Sequence, residues 1–267
     1  MDESQDKPLW DEEPKPTQTP QPQPQPSQPL ARQRIGLFHG LRENKKYVLK
    51  ASVAALVFWL LQFSYQYFIL IPNEFGGSLV RSFALSGATL ISIALIIGPL
   101  SKLTRYNYIF HRRTFGVWGF TFIIMHAISV CFFLFGLDLT AIFWNINPFM
   151  NLILFGLVAF LLFLPVYLTS TDWAVDRLGF KKWKKVHRLV YFAYIFAVIH
   201  YTRINPSLLY NLAGYALLSV TVLALILQVG AFVKTIKRTH SKKAAILGFI
   251  IILFGLILLY VAFFKTQ

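Results

Sequence analysis

The chain has 267 residues, 56% of them hydrophobic and only 14% charged, with 26 Lys and Arg against 11 Asp and Glu for a net charge of +15. A soluble domain carries nearer a quarter charged residues, so the composition is that of a polytopic membrane protein. Six of the acids fall in the first thirteen residues, which leaves too few carboxylates for paired-carboxylate hydrolysis, and the lone Cys131 excludes a disulfide framework or a thiolate metal site.

Residues 1–46 read as a disordered cytoplasmic tail. An acidic patch is followed by KPTQTPQPQPQPSQP, in which alternating proline removes backbone donors and favours polyproline II. Such a tail is a solvated leader or a recruiter of a partner with a proline-binding groove. No apolar h-region precedes it, so the first membrane helix is expected to act as the insertion signal.

Residues 47–267 read as an all-α membrane bundle. Crossing the hydrocarbon as a helix takes about 20 mostly apolar residues, and seven stretches qualify or nearly do: 51–71, 82–100, 115–135, 148–168, 186–201, 208–233 and 244–264. The fifth is short and borrows from the basic run before it. Counted from Arg32 onward, twenty-one Lys and Arg fall before the first span, in the loops that follow the second, fourth and sixth, and in the first turn of the fifth; three, Arg81, Arg203 and Lys265, fall on the other side. The positive-inside rule then sets the chain in the cytoplasmic membrane with its N-terminus inside and its C-terminus outside. Topology and anionic lipid account for the basic loops, so nucleic acid is not an expected partner.

Imidazoles at membrane depth are costly and are kept for a ligand, a proton or a partner. His126 lies thirteen residues beyond Arg113 in the third span, and His200 lies twelve beyond Arg188 in the fifth. At 1.5 Å per residue both sit about 20 Å from the inner charged edge. Two imidazoles at one level on neighbouring helices are what bis-histidine ligation of a b-type haem requires. His187, read in the same short helix as His200, sits near the inner boundary, level with Arg112. A second haem between His111 and His187 is left open, because thirteen residues place His187 and His200 about 140° apart around an ideal helix. The alternative roles of His187 are contact with a haem propionate, a flavin (FMN) or lipid headgroups. His39 and His240 read as solvated loop residues. Arg203, three residues after His200, is the outer candidate to hold a propionate; Arg112, Arg113 and Arg188 are the inner candidates for propionates, a flavin phosphate or an acidic donor protein.

Four strings carry a resemblance: SGATLISIALIIGPLSKL (86–103), HRRTFGVWGFTFIIMHAIS (111–129), FLPVYLTSTD (163–172) and WKKVHRLVYFAYIFAVIHY (183–201). In this order they resemble the ferric-reductase-like transmembrane family over a core of about 72–205, with a look nearest to the haem-binding membrane subunits of bacterial methionine sulfoxide reductase systems. The resemblance implies haem ligation by His126 and His200, with His187 a further candidate. It also implies electrons taken from a cytoplasmic flavin-linked reductase and delivered to the outer face. Family members with a fused flavin- and nicotinamide-binding domain differ from this chain, in which no Gly-rich dinucleotide fingerprint occurs. The donor is therefore expected to be a separate flavin reductase or quinol, and the acceptor an extracytoplasmic protein or metal ion. Two other classes stay in view: a transporter in which the histidines relay protons or bind a metal, and a membrane scaffold whose Pro-rich tail recruits partners.

Overall fold

In the computed structural model the described residues are 45–104, 108–147, 150–204, 206 and 210–239. All lie within the unit Leu41–Gln267. The Pro/Gln tail, His39, His240 and the expected span 244–264 lie outside the described residues. What is described is helical: α1 (Lys45–Tyr65), α2 (Phe75–Thr104), α3 (Ile109–Ser129), α4 (Ile153–Leu168), α5 (Asp172–Val186), α6 (Leu189–Ile204) and α7 (Leu212–Thr239). π-helical turns, Gln66–Leu70 and Val130–Leu134, extend α1 and α3. The fold class read from composition and apolar run length is the fold class observed.

By length and composition, Lys45–Leu70, Phe75–Ser101, His111–Leu134 and Leu212–Ala231 are long and apolar enough to cross a membrane. The pair α4 and α5 makes a fifth span if its 105° bend is counted within one crossing. The chain is an integral membrane protein. Its outward surface agrees, since Val57, Leu60 and Leu61 of α1, Ile128 of α3 and Ile226 of α7 are exposed and apolar, as a lipid-facing surface must be.

Helix α2 is the spine, packed on α1, α3 and α7. Its sequence explains why. Ser78, Ser82, Ser86 and Ser92 are fully buried along it, and small side chains of this kind let membrane helices approach closely. The tightest point is a glycine crossing. A Cβ at Gly87 would stand 2.9 Å from the Gly119 carbonyl oxygen, and one at Gly119 would stand 3.1 Å from that of Gly87. Helix α2 also contains Pro99, which has no N–H to give the Leu95 carbonyl one turn back. That carbonyl takes its hydrogen bond from Gln228 Nε2 of α7 at 2.6 Å, so the proline defect becomes the tie that joins α7 to the bundle.

The principal core gathers Ile91 and Leu95 of α2, Phe120 of α3, Phe163 of α4, Ala193, Tyr194 and Val198 of α6 and Ala224 of α7. A buried hydroxyl chain crosses the same region. Ser92 meets Tyr194 at 2.5 Å, Tyr194 donates to Thr221 at 3.1 Å, and Thr221 meets Tyr201 at 2.9 Å, which links α2, α6 and α7.

Two expectations are corrected. The basic stretch after the fourth span was expected as a loop; it is helix α5. Thr171 accepts from Ala174 N at its N-terminus, and Gly179, at φ 71°, kinks it. The part before the kink buries Ala174 and Val175, and the part after it exposes Lys181, Lys182, Lys184 and Lys185. The second correction concerns His187 and His200, which do not share a helix. The chain breaks at His187 and Arg188, between α5 and α6, so their angular offset on one ideal helix has no bearing on which way each ring faces.

Candidate functional site

His126 and His200 come to the same end of the bundle. His126 lies in the last turn of α3, and its Nδ1 is 3.0 Å from the Val80 carbonyl oxygen in the first turns of α2. His200 lies near the end of α6, and its Nδ1 is 3.0 Å from the carbonyl oxygen of Leu152, just before α4. A carbonyl oxygen can only accept, so Nδ1 carries the proton in both rings and donates it. The Nε2 lone pair is then left for another partner. This is the arrangement of a metal-bound imidazole, whose second nitrogen is oriented and made more basic by a backbone carbonyl. Both residues are half-buried.

The register that produces this follows from the helices. Helices α2 and α3 run antiparallel through the Gly87–Gly119 crossing. Val80 precedes Gly87 by about two turns and His126 follows Gly119 by about two, so the ring arrives level with the carbonyl. On the other side, the His200 ring packs on Gly156 of α4; a Cβ there would stand 2.8 Å from Cε1 and 2.9 Å from Nδ1.

Except for Arg203, the remaining candidates lie toward the other end. His187 Nε2 is 3.3 Å from Thr169 Oγ1. That hydroxyl already donates to the Pro165 carbonyl at 2.6 Å, so it accepts from His187 Nε2–H. Trp183, one turn earlier, covers the ring at 4.0 Å between centroids and donates its own Nε1–H to the Thr169 carbonyl at 2.9 Å. Burial lowers the His187 pKa from 6.5 to about 4; a hydrogen bond to the Thr169 backbone opposes the shift, and the Arg112 and Arg113 charges add to it. His187 thus holds its Nε2 against Thr169, the opposite choice of nitrogen from His126 and His200.

Arg113 is committed to the corner between α4 and α5, with Nε 2.8 Å from the Ser170 carbonyl and an ion pair to Asp172 at 2.6 Å. Arg112 is exposed and lays its guanidinium against Gly98, where a Cβ would meet it at 3.1 Å. Arg188 is exposed at the break between α5 and α6. His111 is edge-on to Tyr47 and Tyr108, at 6.0 and 6.3 Å between centroids, with its Nδ1 buried and unpartnered. Its neighbours therefore differ from those of His187. Arg203 is half-buried at the end of α6, on the same end of the bundle as His200.

Among the described residues, no three His, Cys, Asp or Glu side chains group as a metal site would require. His126 and His200 offer two imidazole donors toward their end of the bundle. That set suits haem, whose porphyrin supplies the other four nitrogens, and falls short of a tetrahedral ion site built from protein alone.

Residues 82–198 match the family model described as the ferric reductase like transmembrane component. The chain carries a ferric-reductase-like transmembrane segment. It is 31% identical over 111 residues to the protein-methionine-sulfoxide reductase heme-binding subunit MsrQ of Brucella ovis, and equally so to that of Brucella canis; the match covers 41% of this chain and 49% of each relative. The chain thus spans about half the length of the curated relatives it matches. No solved structure matches it. The resemblance read from the four strings is thus found again by comparison of the whole sequence.

Several supporting groups were not legible beforehand. The Val80 and Leu152 carbonyls carry no side-chain signal at all. Gly156 sits inside the apolar run NLILFGLVAF, where only the cost of a helical glycine marked it. Trp183 could have been found, since it precedes His187 by four residues, the spacing that stacks side chains on a helix.

Proposed function

We propose that His126 and His200 are the axial ligands of one b-type haem, and that the protein carries electrons across the cytoplasmic membrane to an acceptor on the outer face. The observation that carries this reading is the pair of Nδ1–H donations to backbone carbonyls, which fix both ring tautomers and leave both Nε2 atoms for iron. When bound, a haem b supplies one-electron exchange at a potential set by its ligands and surroundings. The rest is the work of the chain itself. The Gly87–Gly119 crossing sets the height of His126, Val80 and Leu152 orient the rings, and the core of Phe120, Phe163 and Val198 keeps the interior apolar.

Arg203, at the same end, is the residue proposed to pair with a propionate. The opposite end is the proposed donor face, on the cytoplasmic side with the N-terminus. Arg112, Arg188 and the lysines of α5 present positive charge there, and such a field steers an acidic partner. The donor is a separate flavin-linked reductase or quinol, and the acceptor is an extracytoplasmic protein or metal ion. His187, latched to Thr169 and covered by Trp183, belongs to that donor end and organises the turn between α5 and α6.

The test is a pyridine haemochrome assay on purified protein with stoichiometry. About one haem b per chain is expected, with most of it lost in His126→Ala and His200→Ala. A correctly inserted, colourless protein would overturn the proposal.

A further inference from the structure

We propose that Gly156 is the positioning residue for His200: its missing Cβ is what lets the imidazole reach the Leu152 carbonyl. The inference rests on the reading of His200 as an axial ligand, and it deepens that reading by naming what orients the ring.

The geometry is specific. Leu152 stands just before α4, so its carbonyl points along the helix toward residue 156, four positions on. The His200 ring comes from α6 and reaches that oxygen by lying across the face of residue 156. A Cβ built there would stand 2.8 Å from Cε1, 2.9 Å from Nδ1 and 3.1 Å from Cγ. All three nearest atoms belong to the one imidazole. Carbon atoms in ordinary contact stand about 3.5–4.0 Å apart, so alanine at this position displaces the ring itself and strikes no backbone first. The displaced ring loses its carbonyl partner, and with it the constraint on which nitrogen is protonated.

The carbonyl is held from its other side. Asn151 is fully buried; its Nδ2 donates to the carbonyls of Ile142 at 2.7 Å and Asn145 at 3.1 Å, and its Oδ1 accepts from Ile153 N at 3.2 Å. These bonds clamp the residues on both sides of Leu152 and fix where its oxygen points. A helix-favouring substitution would otherwise be welcome here, because alanine is the better helix former. The glycine stands where a Cβ would collide with the ring.

The experiment compares wild type, Gly156→Ala, Gly116→Ala, His200→Ala and the double variant Gly156→Ala/His200→Ala. Gly116 is the control, since a Cβ there would meet only the Ala94 methyl at 3.9 Å. Gly156→Ala is expected to retain haem about 10–100-fold less tightly, the usual loss when the partner that orients a metal ligand is disturbed. Added imidazole should restore its six-coordinate spectrum, and Gly116→Ala should match wild type. In haem-free protein labelled with ¹⁵N-histidine, Gly156→Ala should lose the Nδ1–H signal of a hydrogen-bonded His200. Because the three nearest atoms all belong to the ring, Gly156→Ala should cost thermal stability in wild type and none in the His200→Ala background.

A wild type that binds haem, with Gly156→Ala unchanged in haem retention and in the ¹⁵N spectrum, overturns the inference and leaves the ligand reading standing. So does an equal stability loss in both backgrounds. A wild type that binds no haem overturns the ligand reading instead, and the haem-free ¹⁵N and double-variant measurements still decide whether Gly156 positions the ring.

Discussion

Substituting Gly119 by alanine probes the contact that sets the whole register. The added Cβ would stand 2.8 Å from Ile91 Cγ1, 3.1 Å from the Gly87 carbonyl oxygen and 3.1 Å from the Ile91 backbone nitrogen. Two of those three atoms are backbone, so no rotamer change relieves them, and α2 and α3 must separate by about 0.5 Å to restore ordinary contact distances of 3.5 Å or more. Overpacking of this kind costs about 1–3 kcal/mol. Alanine returns up to about 1 kcal/mol through helix propensity, which leaves a net loss on the order of 1–2 kcal/mol. The same separation stretches the 3.0 Å bond from His126 Nδ1 to Val80, so a change in the ligand environment should accompany the loss of stability. The assay is reversible unfolding in mixed detergent, read against Gly116→Ala, whose Cβ meets only a methyl at 3.9 Å. If Gly119→Ala is as stable as Gly116→Ala, the close glycine crossing does not set the α2–α3 packing.

Three further outcomes follow from the same contacts. Tyr194→Phe removes the hydroxyl that joins Ser92 to Thr221; interhelical hydrogen bonds in membranes are worth about 0.6 kcal/mol on average, so a loss near that value is expected by the same unfolding assay, and one above about 2 kcal/mol would mean the chain does more than tie helices. Asp172→Asn breaks the ion pair with Arg113, but both side chains are a third or more exposed, so stability should change by under about 1 kcal/mol and the change should vanish in high salt. His187 has its folded pKa lowered to about 4 from 6.5, so its contribution is fully present above the unfolded value and is lost progressively as pH falls from about 6.5 to about 4. A His187→Phe variant should flatten that part of the stability–pH profile measured by thermal unfolding; an unchanged acid slope assigns the sensitivity elsewhere.

The helices were legible because apolar run length is a direct consequence of bilayer thickness. The expected spans 51–71 and 115–135 fall on Lys45–Leu70 and His111–Leu134, each lengthened at its N-terminal end by polar and basic residues that a hydropathy window discards. Counting residues along straight helices gives an expected depth for His126 and His200 and nothing more. What could not be read was the facing of each ring and what it touches. The Val80 and Leu152 carbonyls belong to residues whose side chains say nothing about them, and the Gly156 notch has meaning only once α6 is laid against α4. Helix α5 was hidden for a different reason, because a run of lysines satisfies the topology rule equally well as a loop or as an exposed helix. His187 shows the limit most clearly. Its spacing from His200 is equally compatible with a ligand and with a latch, and only the break at Arg188 and the bond to Thr169 distinguish its geometry from that of the other two.

Low-temperature electron paramagnetic resonance of the ferric protein, run on wild type and on three single histidine variants, tests the pairing most directly. The account predicts a low-spin bis-imidazole signal that disappears in His126→Ala and in His200→Ala and persists in His187→Ala. A signal that survives loss of either His126 or His200, or that vanishes only with His187, would contradict it.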